Sequence, residues 1–144
     1  MIRAAHEEDL HTLESIELSS FGPDAWSAGQ LRAELGANRV ALVDVDEFGV
    51  RGWASFQVVG DEAELLRIAV GLGSRGRGIG TNLLGAGLEA VRERGVRRVL
   101  LEVAADNVSA IALYERFGFT RIHTRRHYYA TGQDALVYAL DLAP

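Results

Sequence analysis

The sequence predicts one α+β domain, a mixed and mostly antiparallel sheet with helices laid on it. Three observations carry that prediction. β-rich runs at 39–45, 50–59 and 64–70 follow one another across short turns, and strands joined in this way pair antiparallel. A segment of helical period then separates the third run from another apolar run at 98–103. A crossover helix there makes the two flanking strands parallel neighbours. Finally, 144 residues suit a single domain, 1–144, which buries roughly 70% of its unfolded surface and needs neither metal nor disulfide to fold.

Taken in order, Met1 to Ala5 reads as a short first strand. Leu10, Leu13 and Ile16 recur at helical spacing, and Glu7, Glu8 and Asp9 precede them where a helix dipole favours negative charge. Phe21-Gly22-Pro23-Asp24 breaks this helix. Ser27 and Gln30 form a capping box for a second helix, with Leu31 and Leu35 on its apolar edge and Gly36 as its stop. Residues 39–45 and 50–59 make a hairpin around Asp46-Glu47-Phe48-Gly49, and Gly60-Asp61 turns into the third strand. After a glycine loop, Ile79, Leu83, Leu84, Leu88 and Val91 mark a helix over roughly 81–94 that closes at Gly95. Asp106 and Asn107 are N-caps for a last helix ending near Arg116, with Gly118 as its stop. Strands at 120–126 and 135–140 complete the chain, bridged by residues 127–133.

What the chain lacks removes several chemistries. Without cysteine there are no disulfides, thiolate metal sites or Cys nucleophile. His6, His11, His123 and His127 form no HExxH pattern and are read as surface or packing residues, so no metal is expected. A net charge of −5 argues against direct nucleic-acid binding. No apolar run approaches the ~18 residues of a membrane span and no signal peptide opens the sequence, so the expectation is a cytoplasmic protein without a membrane.

The most informative stretch is the loop. Five of the chain's 16 glycines fall between Gly71 and Gly80, between a strand and a helix. Glycine lets such a loop adopt positive φ and approach a ligand closely. The first N–H groups of the following helix have no intrahelical partner, and with the helix dipole they make an anion site suited to phosphate. A Walker loop requires lysine, which the chain does not contain, and Thr81 stands where a dinucleotide fingerprint would close on Gly or Ala.

Two further positions carry chemistry. Glu102 lies in Arg98-Val-Leu-Leu-Glu-Val103, a strand otherwise apolar enough to be buried on both faces, where an unpaired carboxylate is costly. It reads either as a general base or as a structural partner for Arg97 or Arg98. Asn107, Ile111 and Tyr114 share one face of the last helix. Asn107 serves as a cap or a ligand contact, and Tyr114 as a core aromatic or a proton donor. The strand bearing Glu102 would lie beside the strand that ends in the glycine loop, so Glu102, Tyr114 and the phosphate site would share one cleft.

Arg75-Gly-Arg-Gly78-Ile-Gly80 fits the Arg/Gln-x-x-Gly-x-Gly/Ala loop of the acetyl-CoA-dependent N-acetyltransferases of the GNAT superfamily. Other segments resemble its RimI-like ribosomal-protein alanine N-acetyltransferases. They are Ala25-Trp26-Ser27, residues 63–70, Leu101-Glu102-Val103, Asn107-x-x-Ala110-Ile111-x-Leu113-Tyr114-Glu115-x-x-Gly118-Phe119, and Arg125-Arg126-His127-Tyr128-Tyr129 with Asp134-Ala135. The similarity runs in order along nearly the whole chain. It implies a GNAT acyltransferase fold whose sheet splays between two parallel central strands, with acetyl-CoA in the splay. By this resemblance Ile68, Ala69 and Val70 line the acetyl arm, and Arg75, Gly76, Arg77, Gly78, Ile79, Gly80 and Thr81 hold the pyrophosphate. Asn107 contacts the cofactor. Glu102 is the base and Tyr114 the acid of a direct ternary-complex transfer. Tyr128 and Tyr129 match a pair that holds the substrate peptide. Arg67 stands where asparagine is usual and is assigned to the acceptor cleft, and Gly71-Leu72-Gly73 replaces a turn that usually contains proline.

The acceptor implied is the N-terminal amine of a protein, in this family a ribosomal protein beginning with alanine. Amine chemistry agrees: an α-amine of pKa ~8 is about one-tenth neutral at pH ~7, whereas lysine at ~10.4 is almost wholly protonated. Acetylation of a small amine or antibiotic, or non-catalytic CoA binding, stays open on the same fold. So do a partner subunit and a weak homo-oligomer.

Overall fold

The computed structural model describes residues 1–144. Seven strands form one sheet in the order β1-β2-β3-β4-β5-β7-β6. They are β1 (Ile2–Ala4), β2 (Arg39–Asp46), β3 (Gly49–Val59), β4 (Glu62–Val70), β5 (Arg98–Ala104), β6 (Thr120–Arg125) and β7 (Ala135–Asp141). Four helices, α1 (Leu10–Phe21), α2 (Ala28–Ala33), α3 (Ile79–Glu93) and α4 (Val108–Arg116), cover it. Every strand pair is antiparallel except β4 with β5. This is the predicted mixed sheet, and the crossover through α3 produces its parallel pair. No helix is long and apolar enough to cross a membrane.

The helices form where their sequences favour them. In α1, Leu10, Leu13 and Ile16 are buried at the expected spacing. The turn before it is held by Asp9, which accepts from Arg3 Nη1 at 2.8 Å and from the His6 N–H at 2.7 Å. Both bonds of the predicted capping box start α2: Ser27 Oγ accepts from the Gln30 N–H, and Gln30 Oε1 from the Ser27 N–H. This helix closes at Ala33, before Gly36. The α3 helix begins at Ile79 rather than Thr81, because Gly78 takes the left-handed conformation at its N-cap.

Two cores form on the two faces of the sheet. Leu13, Ile16 and Leu31 pack on Val43, Trp53 and Ala69 on one face. Leu83, Leu84 and Val91 pack on Ala54, Phe56, Val99 and Leu101 on the other. Gly87 allows the close approach there: a Cβ on it would lie 2.2 Å from the Phe56 ring.

One expectation is corrected. The β5 strand is not buried on both faces; burial alternates, with Val99, Leu101 and Val103 in the core and Leu100, Glu102 and Ala104 on the half-open face. The reason is that only one face of β5 is covered: the α3 core packs on Val99, Leu101 and Val103, whereas the α1–α2 core packs on β2, β3 and β4 and does not extend over Leu100, Glu102 and Ala104.

Candidate active site

The site is a gap in the sheet. In β4, Phe56 pairs with Leu65 but Ser55 with Arg67, so Leu66 is an extra residue. Such a bulge bends and twists its strand, and past it β4 no longer pairs with β5. Two clefts open in the splay, of about 640 and 610 Å³. Phe21, Ile68, Asn107, Ala110 and Tyr114 line both, so the two meet there.

The first cleft runs from Ile68, Ala69 and Val70 to the glycine loop. Gly76 and Gly78 have φ of 79° and 78°, and a Cβ on either would point into open space. No backbone N–H from Gly76 to Thr81 donates to a backbone carbonyl, and the first helical bond of α3 is Asn82 N–H to Gly78 O at 3.0 Å. These free donors at the start of α3 suit a pyrophosphate. Arg75 lines the cleft and donates to Val70 O at 3.0 Å; Arg77 is the one expected loop residue outside the lining. Arg116, which the sequence reading missed, also lines this cleft, and its Nη2 is 3.5 Å from Thr81 Oγ1. Its place in the last turn of α4 was legible; its position opposite the loop was not.

Glu102 and Tyr114 border the second cleft. Glu102 pairs with Arg125 Nη2 at 3.3 Å, its side chain 29% exposed. The partner is therefore not Arg97 or Arg98. Arg98 is paired with Asp141 of β7 instead, whereas Arg125 reaches Glu102 from β6. Burial first, and the Glu102 charge second, raise the pKa of both Glu64 and Tyr129, with Arg125 partly offsetting the effect on Glu64. Tyr114 is 6% exposed and meets Phe119 edge-to-face at 5.9 Å. Burial pushes its phenol up to about 12, so it remains a proton donor throughout the ordinary pH range. Tyr114 is thus both a core aromatic and a cleft residue. Asn107 is likewise both things: its Oδ1 accepts from the Ala110 N–H at 3.3 Å as the N-cap of α4, and it lines both clefts.

Tyr129 also lines the second cleft. Tyr128 is 52% exposed outside the lining and packs edge-on against Tyr129 at 5.4 Å, with Arg125 over its ring at 5.2 Å. The segment is held by the His127 N–H, which donates to Asp134 Oδ1 at 2.9 Å. Arg67 lines the cleft, but its guanidinium is turned to Glu17 and the α1–α2 connection. No group of three His, Asp or Glu residues here could hold a metal ion.

A splayed parallel pair, a glycine loop at a helix N-terminus and a cleft lined by both Glu102 and Tyr114 fit an acyltransferase site. Residues 7–119 match the acetyltransferase (GNAT) family, and the chain belongs to it. It is an N-acetyltransferase of that family. The ribosomal protein bS18-alanine N-acetyltransferase of Salmonella typhimurium is 38% identical over 121 residues, covering 82% of each chain. Its Haemophilus ducreyi counterpart is 31% identical over 146 residues, covering 99% of this chain and 100% of that one. The crystal structure of the Escherichia coli ribosomal-protein-S18-alanine N-acetyltransferase superposes with a TM-score of 0.93 at 33% identity, covering 100% of this chain and 94% of that one.

Proposed function

We propose that this enzyme transfers the acetyl group of acetyl-CoA to the N-terminal amine of a protein, in the cytoplasm, with a ribosomal protein beginning with alanine as acceptor. The observation that carries the reading is the meeting of the two clefts at Tyr114, with Glu102 on the acceptor side. Bound acetyl-CoA supplies the acetyl group and a thiolate leaving group. Residues 68–70, Asn107 and the loop from Arg75 to Thr81 orient it, the free N–H groups facing its pyrophosphate. Tyr129 borders the acceptor with Tyr128 packed against it, and Arg67 lines the same cleft with its guanidinium turned to Glu17. Glu102 removes the proton from the incoming ammonium, directly or through water, so that the nitrogen lone pair is free to form the new C–N bond. As the C–S bond breaks, the Tyr114 hydroxyl donates its proton to sulfur, and the second proton that the nitrogen sheds on becoming an amide returns the phenolate to phenol.

Acetylation of a small amine has no specific support in the site. The test is a comparison of a short peptide beginning with alanine against spermine and an aminoglycoside, followed by a mass-spectrometric survey of N-terminal acetylation with and without the protein. Turnover of the peptide alone, with at least one ribosomal N-terminus changing, is expected. Turnover confined to the small amines refutes the protein substrate, and no turnover at all leaves only CoA binding.

A further inference from the structure

The departure at position 67 has a structural counterpart. Arg67 leaves β4 just past the bulge, and its Nη2 lies 3.2 Å from Glu17 Oε1 and donates to Asp24 O at 2.7 Å. Its guanidinium carbon stands 4.0 Å from the Phe21 ring centroid and 4.4 Å from that of Trp26. Glu17 is fully buried, and also accepts from the Trp26 N–H at 2.9 Å and the Trp53 indole N–H at 3.3 Å. One carboxylate on α1 thus gathers donors from three segments. One arginine returns from the sheet to meet it, resting on both aromatic rings.

The physical chemistry explains why this residue is arginine. A buried carboxylate that loses one partner becomes an uncompensated charge, so Glu17 and Arg67 depend on each other. A planar guanidinium can bond through its edge while its faces rest on aromatic rings; a lysine ammonium cannot do both. Phe21 closes α1, and the Trp26 ring and the Asp24 carbonyl belong to the connection between α1 and α2. Phe21 and Asp24 line the acceptor cleft. A glycine, a proline and a single 3₁₀ turn make up most of this connection, so its own backbone bonds do little to hold it.

We propose that Arg67 is a latch. It fixes residues Phe21 to Trp26 as a rigid wall of the acceptor cleft, and is a positioning residue for the acceptor rather than a cation that meets a substrate carboxylate. The proposal rests on the N-terminal acetyltransferase reading. Because the wall is preorganised, the acceptor does not have to order it on binding, and peptide affinity gains accordingly.

The experiment compares the parent with Arg67→Gln and Arg67→Lys, using a peptide beginning with alanine. For Arg67→Gln the peptide KM should rise roughly 10–100-fold, with kcat and the acetyl-CoA Kd each changing less than about threefold. Arg67→Lys should fall between, because it keeps the charge but not the fork and stack. Acrylamide quenching of tryptophan emission should increase in both, as Trp26 loses its cover. Parental peptide KM with parental quenching overturns the latch, and so does a fall in kcat at unchanged KM. Should either variant not fold, the unmutated protein still decides: the Trp26 amide, bonded to Glu17, must exchange at least ~100-fold slower than an open amide. Fast exchange there refutes the latch. A parent that acetylates no peptide refutes the substrate reading instead, while quenching and exchange continue to judge the latch.

Discussion

At Tyr114 two demands meet in one side chain. The ring packs in the core beside Phe119, and the residue lines both clefts. Tyr114→Phe keeps the ring and removes the donor. We expect kcat to fall roughly 10–1000-fold, with the melting temperature within a few degrees of the parent. The loss should be smaller with an acyl donor whose thiol is more acidic, and a parental kcat demotes Tyr114 to packing. The sign of its titration follows from burial. The folded phenol is raised to about 12, above the ~10 of the unfolded chain. The stability it contributes is therefore whole below pH ~10 and is lost as pH climbs toward 12. An alkaline limb of kcat that Tyr114→Phe abolishes should lie in that upper range. For Glu102→Gln, kcat should fall on the order of 10²–10⁴-fold at neutral pH. The deficit should narrow about two to three units higher, where an amine of pKa ~8 deprotonates unaided. A deficit equal at both pH values makes Glu102 a structural partner of Arg125.

At the scale of elements, the loop and α3 carry the predictions. Gly78→Asp brings a charge to the open side of the loop, beside the free N–H groups proposed to hold the pyrophosphate, and acetyl-CoA binding measured by calorimetry should weaken by several kcal/mol. Because Gly78 has positive φ, any side chain adds strain of about 1–2 kcal/mol, so Gly78→Ala is the control that isolates the charge. If the aspartate binds no worse than the alanine, the phosphates sit elsewhere. Within α3, two glycines should respond oppositely to alanine. At Gly87 the new Cβ collides with Phe56, and stability should drop by ~1–3 kcal/mol, read as a lower melting temperature. At Gly85 the nearest atom to the new Cβ is 3.7 Å away on Phe117, an ordinary contact, and helix propensity should raise stability by ~0.5–1 kcal/mol.

Across the whole molecule, β1–β4 and β5–β7 are joined by a parallel ladder of three residue pairs, with the cofactor cleft opening where it stops. A ligand in that cleft touches both halves. Acetyl-CoA at ~100 times its Kd should therefore stabilise the fold by about 2.7 kcal/mol. For a chain of this size that is roughly 5–10 °C in melting temperature. An alanine-leading peptide added alone should shift it much less, because the acceptor cleft lacks the phosphate-binding donors. Equal shifts from both ligands argue against this division of the gap.

The order of strands and helices and the glycine loop were legible in the sequence, because each depends on local signals, whereas local signals left Glu102, Asn107 and Tyr114 open between structural and chemical roles. Periodicity, capping residues and turn glycines act within a few residues of one another, and the crossover helix carries the parallel pairing with it. The resemblance joined those positions into one site. Only the tertiary structure decided what surrounds them. The ladder between β4 and β5 stops after Leu100, and Glu102 stays half open because no helix packs on its face of β5; both depend on packing between segments far apart in sequence. Arg125 reaches Glu102 across the sheet, Arg116 meets the loop from α4, and Arg67 turns from the cleft to Glu17 fifty residues earlier in the chain. Among 15 identical arginine side chains nothing local tells one partner from another. Long cations choose among carboxylates and rings by distance and burial, which exist only once the chain has folded.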